Sequence, residues 1–263
     1  MSTAMLEEIK KSVPPKGKAY LWWLGQMGLV IKAGKTTALI DGFLTERPDR
    51  LIPPAFYAGA ADVFDVVAGT HNHDDHVDLA AWKLIHEINA GTVFIAPKAW
   101  ENEIFAETGI HIKGINEGTS VSVGDLRFDA IAAAHEFLEQ DASGNYKALS
   151  YVINGRVFHA GDTLVYDGQK DKLRGYGKLS AMLLPINGRD AERYARGCIG
   201  NMTFQEAVDM AGELKPVLAI PGHYDMFKGN TADPRDFMDY LNVKYPDVCG
   251  FTPERYKKFE VDF

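Results

Sequence analysis

Gly69-Thr70-His71-Asn72-His73-Asp74-Asp75-His76-Val77-Asp78 decides how the rest of the chain is read. It places four side chains of metal-ligating type, His71, His73, Asp75 and His76, within six residues. In an extended segment, residues two apart project to the same side, so His71 and His73 can face one ion. Asp75 and His76 then begin a helical turn and can face a second ion beside the first. Imidazole and carboxylate without a soft sulfur ligand suit zinc, manganese or iron alike. The stretch immediately upstream, Val63 to Ala68 (VFDVVA), reads as a buried strand. Downstream, Leu79 to Ile88 has helical apolar spacing with Asp78 as its N-cap. The cluster therefore sits where a strand hands over to a helix.

Four donors are too few for two ions, and further ligands must come from other strand ends. Three residues stand at such places. His135 follows a strand over Phe128 to Ala134, Asp162 follows Arg156 to Ala160, and His223 follows Val217 to Ile220. Each lies next to a glycine or a loop, as a residue leaving a sheet edge should. Asp75 is also placed to take or relay a proton.

Working outward, Ala19 to Ile31 (AYLWWLGQMGLVI) reads as one apolar β-run. A break at Lys32-Ala33-Gly34-Lys35 separates it from Thr36 to Ile40, so the pair reads as a hairpin closed by Asp41-Gly42. A proline-rich loop spans Leu44 to Ala61. Thr92 to Ala96 reads as a strand, and Lys98 to Thr108 as a helix stopped by Gly109. Ser120 to Ala134 holds two strands around Val123-Gly124-Asp125. Asn154-Gly155, between Ser150 to Ile153 and Arg156 to Ala160, is the strongest hairpin signal in the chain. In the last third, Ala181 to Pro185 is a strand and Thr203 to Leu214 a helix whose Thr203 and Glu206 fit a capping box. Asp233-Pro234 opens another helix to Val243. Hairpins mixed with βα units, without a linker or repeat, predict one layered α/β domain over residues 19–263, preceded by an N-terminal extension, 1–18.

Bulk properties narrow the function. With 263 residues, 46% hydrophobic and 24% charged, the chain falls in the ordinary globular range. A formal charge of −8 argues against a protein that gains affinity by neutralising many phosphates, so nucleic acid is not an expected partner. No apolar run is long enough to span a membrane, and the mixed-charge start does not resemble a secretory signal. Two isolated cysteines, Cys198 and Cys249, fit a reducing compartment, and the expected location is the cytoplasm.

Other residues carry two readings each. His159 could touch substrate or a ligand, or be a hydrogen-bonded core histidine. Arg189, Arg193 and Arg196, in NGRDAERYARG, could clamp a phosphate, because guanidinium matches phosphate oxygens, or simply be solvated. Tyr224 follows a ligand and could approach the pocket or only pack. His86 and His111 read as structural, and Asp74 and Asp78 as solvated or capping. Trp22 and Trp23 alternate across a strand, so one is expected in the core.

His71 to His76 (HNHDDH) matches the HxHxDH signature of the metallo-β-lactamase superfamily, and the later His135, Asp162 (in HAGDT) and His223 (in IPGHYD) fall in its order. Within it, WWLGQMGLVI, THNHDDHVD, FHAGDT and IPGHYDMF make the chain resemble the L-ascorbate-6-phosphate lactonase group, from about Ala19 to Tyr240. The resemblance implies a four-layer αββα sandwich with the site at one edge between the sheets. It implies that His71, His73 and His135 hold one divalent ion, that Asp75, His76 and His223 hold a second, and that Asp162 bridges. Asp41 would support the ligands from behind. A homo-oligomer is also implied. The expected activity is hydrolysis of a small-molecule lactone, of a sugar acid that is phosphorylated in that group, by a water deprotonated at the metal. Two other readings stay open: a phosphodiesterase on a small diester, and a metal-holding binding protein without turnover.

Overall fold

The computed structural model describes residues 3–263. Strands β1 (Lys18–Gly25), β2 (Gly28–Ala33), β3 (Thr36–Ile40), β4 (Val66–Ala68), β5 (Val93–Pro97), β6 (Lys113–Ile115) and β13 (Lys258–Asp262) form one sheet, in the order β13-β1-β2-β3-β4-β5-β6. The second sheet is β12-β11-β10-β9-β8-β7, from β7 (Ser120–Val123), β8 (Leu126–Ala132), β9 (Leu149–Ile153), β10 (Val157–His159), β11 (Ala181–Pro185) and β12 (Leu218–Gly222). Both sheets are mixed: β3 to β6 run parallel in the first and β10 to β12 in the second.

Helices cover the outer faces. α1 (Thr3–Lys11), α2 (Leu79–Ile88) and α3 (Glu101–Thr108) bury Ile9, Trp82, Ile85 and Ile104 with Trp22, Val30 and Phe94 of the first sheet. α4 (Gln169–Arg174), α6 (Phe204–Leu214) and α7 (Pro234–Lys244) lie with the second sheet and bury Leu173, Val208 and Phe237. Between the sheets, Leu21, Trp23, Leu29 and Ile31 share a core with Phe128, Tyr151 and Leu183. This is the expected αββα sandwich. It is also why Trp22 and Trp23 are both buried, where one core tryptophan was expected: they point to opposite faces, and both faces are covered. The lead-in ahead of residue 19 contributes α1, and residues 1–2 lie outside the described residues.

The first β-run differs from its sequence reading. Ala19 to Ile31 is two strands, turning back at Gln26-Met27, where Gly25 and Gln26 take φ of 98° and 49°. Burial on both faces removes the polar alternation that would have marked the turn. The remaining punctuation falls where its chemistry puts it. Asp78 caps α2 by accepting from Ala81 N, Thr203 and Glu206 form the capping box of α6, and Asp233 caps α7 with proline behind it. Gly109 ends α3 in the left-handed conformation, and Asn154 and Gly155, both at positive φ, turn β9 into β10. α1, α4, α5 (Ala191–Ala195), β6 and β13 were not expected from the sequence; all but α1 carry short or largely exposed patterns.

The proline-rich loop after β3 is ordered by two side chains. Arg50 donates to the carbonyls of Phe43, Thr45 and Ile52, and Asp78 accepts from Leu44 N, Thr45 N and the Thr45 hydroxyl. The residue that caps α2 thus also anchors the start of this loop beside the site.

Candidate metal centre

All seven expected ligands converge at one edge of the sandwich, where both sheets end. The turn of the motif is closed by His76 N and Val77 N donating to His73 O. The second sheet docks directly on it: Leu149 N donates to Thr70 O at 2.9 Å, and the Tyr151 hydroxyl donates to Gly69 O at 2.6 Å. His135 leaves the end of β8, Asp162 follows β10, and His223 follows β12. Gly161 makes the approach of Asp162 feasible: it sits at φ +58°, and a Cβ there would lie 2.8 Å from Thr70 Cβ.

The donors form two groups. His71 Nε2 lies 3.0 Å from His73 Nδ1, which lies 3.3 Å from His135 Nε2. In the other group, Asp75 Oδ2 is 3.6 Å from His76 Nε2 and 3.8 Å from His223 Nε2. Asp162 stands between them, with Oδ1 3.3 Å from His76 Nε2, Oδ2 3.1 Å from His223 Nε2 and Oδ2 3.9 Å from His135 Nε2. Donors sharing one ion at about 2.0–2.2 Å in a tetrahedral shell stand about 3.2–3.6 Å apart, so this spacing suits a bound ion. His76 Nε2 and Asp162 Oδ1 are buried without a hydrogen-bond partner, a costly state for two polar atoms that a shared cation relieves. The residues present fit a divalent metal.

Electrostatics separate the two groups. Burial pushes His71 well below the usual imidazole range, with His76 and His135 adding to the effect, and it lowers His73. Burial brings His135 down to about 4. Burial opposes the charged form of His76 as well, but Asp162, Asp41 and Asp75 outweigh it and hold that imidazole well above its ordinary value. For Asp162 burial disfavours the carboxylate, yet His223 and His76 win and hold it well below the carboxylate range. Asp75 is lowered in the same way, against burial, by His76 and His223.

Asp41, expected behind the ligands, is fully buried at the end of β3 and touches His76 directly: Oδ2 lies 2.6 Å from Nδ1. It also accepts from Thr70 N at 2.8 Å and from the Thr70 hydroxyl at 2.7 Å. A carboxylate on Nδ1 fixes the tautomer that leaves Nε2 free for a metal. Asp41 takes this position at φ 48°, a conformation costly for a non-glycine residue and found where surrounding structure enforces it. His223, at φ 58°, shares that feature.

Two supporting residues were not identified in the sequence. Gln26, at the turn hidden inside the first β-run, donates from Nε2 to Asp75 Oδ2 at 3.3 Å and lies 3.3 Å from His223 Nδ1. Its carbonyl accepts from His223 N at 2.9 Å. Thr70 brings its hydroxyl within 3.1 Å of His71 Nδ1. The signal for Gln26 was a polar residue between Gly25 and Gly28 in an otherwise apolar run.

The remaining candidates lie as follows. His159 is fully buried, with Nε2 2.7 Å from Met27 O and Nδ1 accepting from Gly161 N, a hydrogen-bonded core position behind Asp41. Tyr224 is buried and packs on Trp23, ring centroids 4.9 Å apart. Arg189 pairs through both guanidinium nitrogens with Glu206, Arg193 with Asp190 and the Asn187 carbonyl, and Arg196 with Glu192. Asp74 is exposed, 3.8 Å from Arg47. His86 sits edge-on to Phe94 and His111 stacks on Phe105, both away from the centre. Cys198 and Cys249 are free thiols.

Two cavities open on the ligands. One, about 330 Å³, is lined by Arg47, Asp74, Asn72 and Asn230 together with Asp75, Asp162 and His223. The other, about 220 Å³, lies against His71, His73 and His135, between Trp100, Phe137 and Ile199.

Residues 36–224 match the family described as beta-lactamase superfamily domain. A UPF0173 metal-dependent hydrolase of Oenococcus oeni is 30% identical over 247 residues, covering 90% of this chain and 98% of that protein. Among solved structures, the metallo hydrolase Igni18 of Ignicoccus hospitalis superposes with a TM-score of 0.73 at 19% identity, over 94% of this chain and 99% of that one. The diiron β-hydroxylase CmlA of Streptomyces venezuelae superposes with a TM-score of 0.70 at 15% identity, over 95% of this chain and 55% of the longer protein. At such identities the two structural likenesses speak for the fold.

Proposed function

This chain belongs to the metallo-β-lactamase superfamily, as a metal-dependent hydrolase, and from that premise we propose that it hydrolyses the ester bond of a small lactone. The observation that carries the reading is the two donor groups with Asp162 standing between them, beside a cavity that Asp162 itself lines. His71, His73 and His135 would hold one divalent ion, Asp75, His76 and His223 a second, with manganese, zinc and iron all compatible with these donors. Bound there, the ions supply Lewis acidity toward the carbonyl and activation of water.

The chain's own residues do the rest. Asp41 holds the His76 ring, and Gln26 holds Asp75 and the backbone of His223, so the donors are fixed before substrate arrives. Asp75 lines the larger cavity, and its carboxylate is placed to take the proton of the attacking water and return it to the leaving alkoxide.

Carbonyl chemistry is favoured over a phosphodiester by the charges around the cleft. Arg189, Arg193 and Arg196 are each matched by a carboxylate, and Arg47 is engaged by Asp49 at 2.8 Å. Asp74, Asp75 and Asp162 face the larger cavity. A phosphate would find no unmatched guanidinium at this cleft to recognise it, whereas a neutral ester needs none. The phosphate arm of the sugar-acid expectation therefore drops out of the proposal, while lactone opening stays. A small-molecule substrate and a cytoplasmic setting belong to the same reading, supported by the negative net charge, the free cysteines and the lack, among the described residues, of a helix long and apolar enough to cross a membrane.

Turnover of unphosphorylated lactones and small phosphodiesters should be compared on manganese- and zinc-loaded protein. Lactones should react faster, and Asp162→Ala should cut that rate at least about a thousandfold, as expected when a group shared by both ions is lost. Preference for diesters, or an Asp162→Ala protein with unchanged turnover and metal content, would overturn the reading.

A further inference from the structure

The two cavities beside the ligands differ in chemistry, and that difference bears on what the substrate looks like. They meet at His73, His135, Asn72 and Ile199, which line both. On one side lie Arg47, Asn72, Asp74 and Asn230, all able to hydrogen-bond. On the other, the surface beyond the histidines is largely Trp100, Phe137, Ala148 and Ile199. The indole nitrogen of Trp100 donates to Lys147 O at 2.7 Å, which spends its polar atom and turns the ring into a fixed apolar wall. Lys147 and Glu139 also line this lobe, but as a matched pair 3.6 Å apart, with the ammonium 5.9 Å from the Trp100 ring centroid. Phe137 forms the rim and is 67% exposed, and its neighbour Leu138 is 43% exposed. A phenyl ring left this open beside a metal-ligand cluster gains free energy from any apolar group that covers it.

We infer that the substrate carries an apolar group about the size of a single ring, seated between Trp100, Phe137 and Ile199, with its polar remainder directed toward Asn72, Asn230 and Arg47. The subsite belongs to the hydrolytic cleft proposed above and rests on that reading of the site. Volume sets the size of the group. A cavity of about 150 Å³ is enough to admit benzene, and this lobe holds about 220 Å³, so it has room for a phenyl group or a chain of comparable bulk. The lobe contacts the His71, His73 and His135 group and not the Asp75 group, so the ring lies on one side of the reacting bond only. Phe137, Trp100 and Ile199 thereby become specificity-determining residues.

Hydroxamates chelate a protein-bound metal without being hydrolysed, so they test the lobe apart from turnover. Calorimetric titration of the zinc-loaded full-length protein should give benzohydroxamate at least about tenfold tighter than acetohydroxamate, in keeping with what an apolar pocket gains from added carbon. Phe137→Ser should reduce that advantage to about threefold or less and leave acetohydroxamate unchanged; Ile199→Asn is the second variant, on the opposite wall. Equal affinity of the two probes, binding of neither, or a ring advantage that survives both substitutions would overturn the inference. Ring preference without turnover of any lactone would defeat the lactonase reading and leave the subsite standing. Lactone turnover without ring preference would do the reverse.

Discussion

The two donor groups are built to different standards. His76 is backed by a buried carboxylate, and His223 and Asp75 by Gln26, itself held in a strained turn. His71 has only the Thr70 hydroxyl at 3.1 Å, while His73 and His135 lean on one another and the buried His135 Nδ1 has no partner. The difference follows position. The Asp75 group lies over the junction of β3, β12 and the β1–β2 turn, where backbone atoms are close enough to brace it. The His71 group is bordered by both cavities and the Asp75 group by the larger one only, so around the His71 group bracing atoms would occupy more of the space of a substrate. One group is organised for holding and the other for access.

Substituting Asp41 strikes this contrast hardest. Asp41→Ala leaves His76 and Thr70 without a buried acceptor and should cost about 3 kcal/mol of stability, by the usual penalty for breaking a buried charged pair. It should also weaken metal binding at the Asp75 group about 10–100-fold, and less at the His71 group, which Asp41 reaches only through Thr70. Denaturant melts and stepwise metal titration would read both; equal loss at the two groups would dissolve the contrast.

Proton counting sharpens it. At pH 7 the metal-free His76 is protonated, since its pKa is held well above the usual imidazole range. An ion entering the Asp75 group must therefore expel a proton, and its affinity should fall about tenfold for each pH unit below that pKa. His71, His73 and His135 all have lowered values and are neutral at pH 7, so affinity at their group should vary little with pH around neutrality. Calorimetry in buffers of different ionisation enthalpy counts the protons, one for the first group and none for the second. In the metal-free protein the same shifts act on stability with opposite signs. The His76 contribution is complete below about 6.5 and is lost as pH rises through its folded pKa. That of Asp162 is present above about 3.9 and lost as pH falls through its depressed value.

The smallest expected effect belongs to Gln26→Leu. It removes one neutral donor 3.3 Å from Asp75 and keeps the backbone contact to His223. Affinity at the Asp75 group should drop about three- to tenfold, at the low end for a supporting residue, with the melting temperature of metal-free protein little changed. A drop matching that of Asp41→Ala would mean the amide braces as firmly as the carboxylate.

How much of this was open to sequence reading depended on locality. His71, His73, Asp75 and His76 are neighbours in the chain, so their convergence follows from strand and turn geometry. The caps made by Asp78, Thr203 with Glu206, and Asp233-Pro234, and the turn at Asn154-Gly155, rest on bonds within a few residues. Gln26 does not: its meaning depends on a turn that an all-buried strand pair conceals, and on Asp75 and His223, 49 and 197 positions away. The arginines show the converse. Arg189, Arg193 and Arg196 look like a clamp when counted as charges, yet their carboxylate partners Glu206, Asp190 and Glu192 stand close by in sequence and neutralise them. Side-chain pairing, more than backbone course, was the missing information.

The seam at Thr70–Leu149 and Gly69–Tyr151 is where the two sheets touch at the site, and the donors on either side of it come from different sheets. An ion shared across such a seam is a rivet as well as a reagent. Chelation would slacken the joint between the two sheets at this edge, and amide exchange in β9 becomes a gauge of how much metal the protein carries.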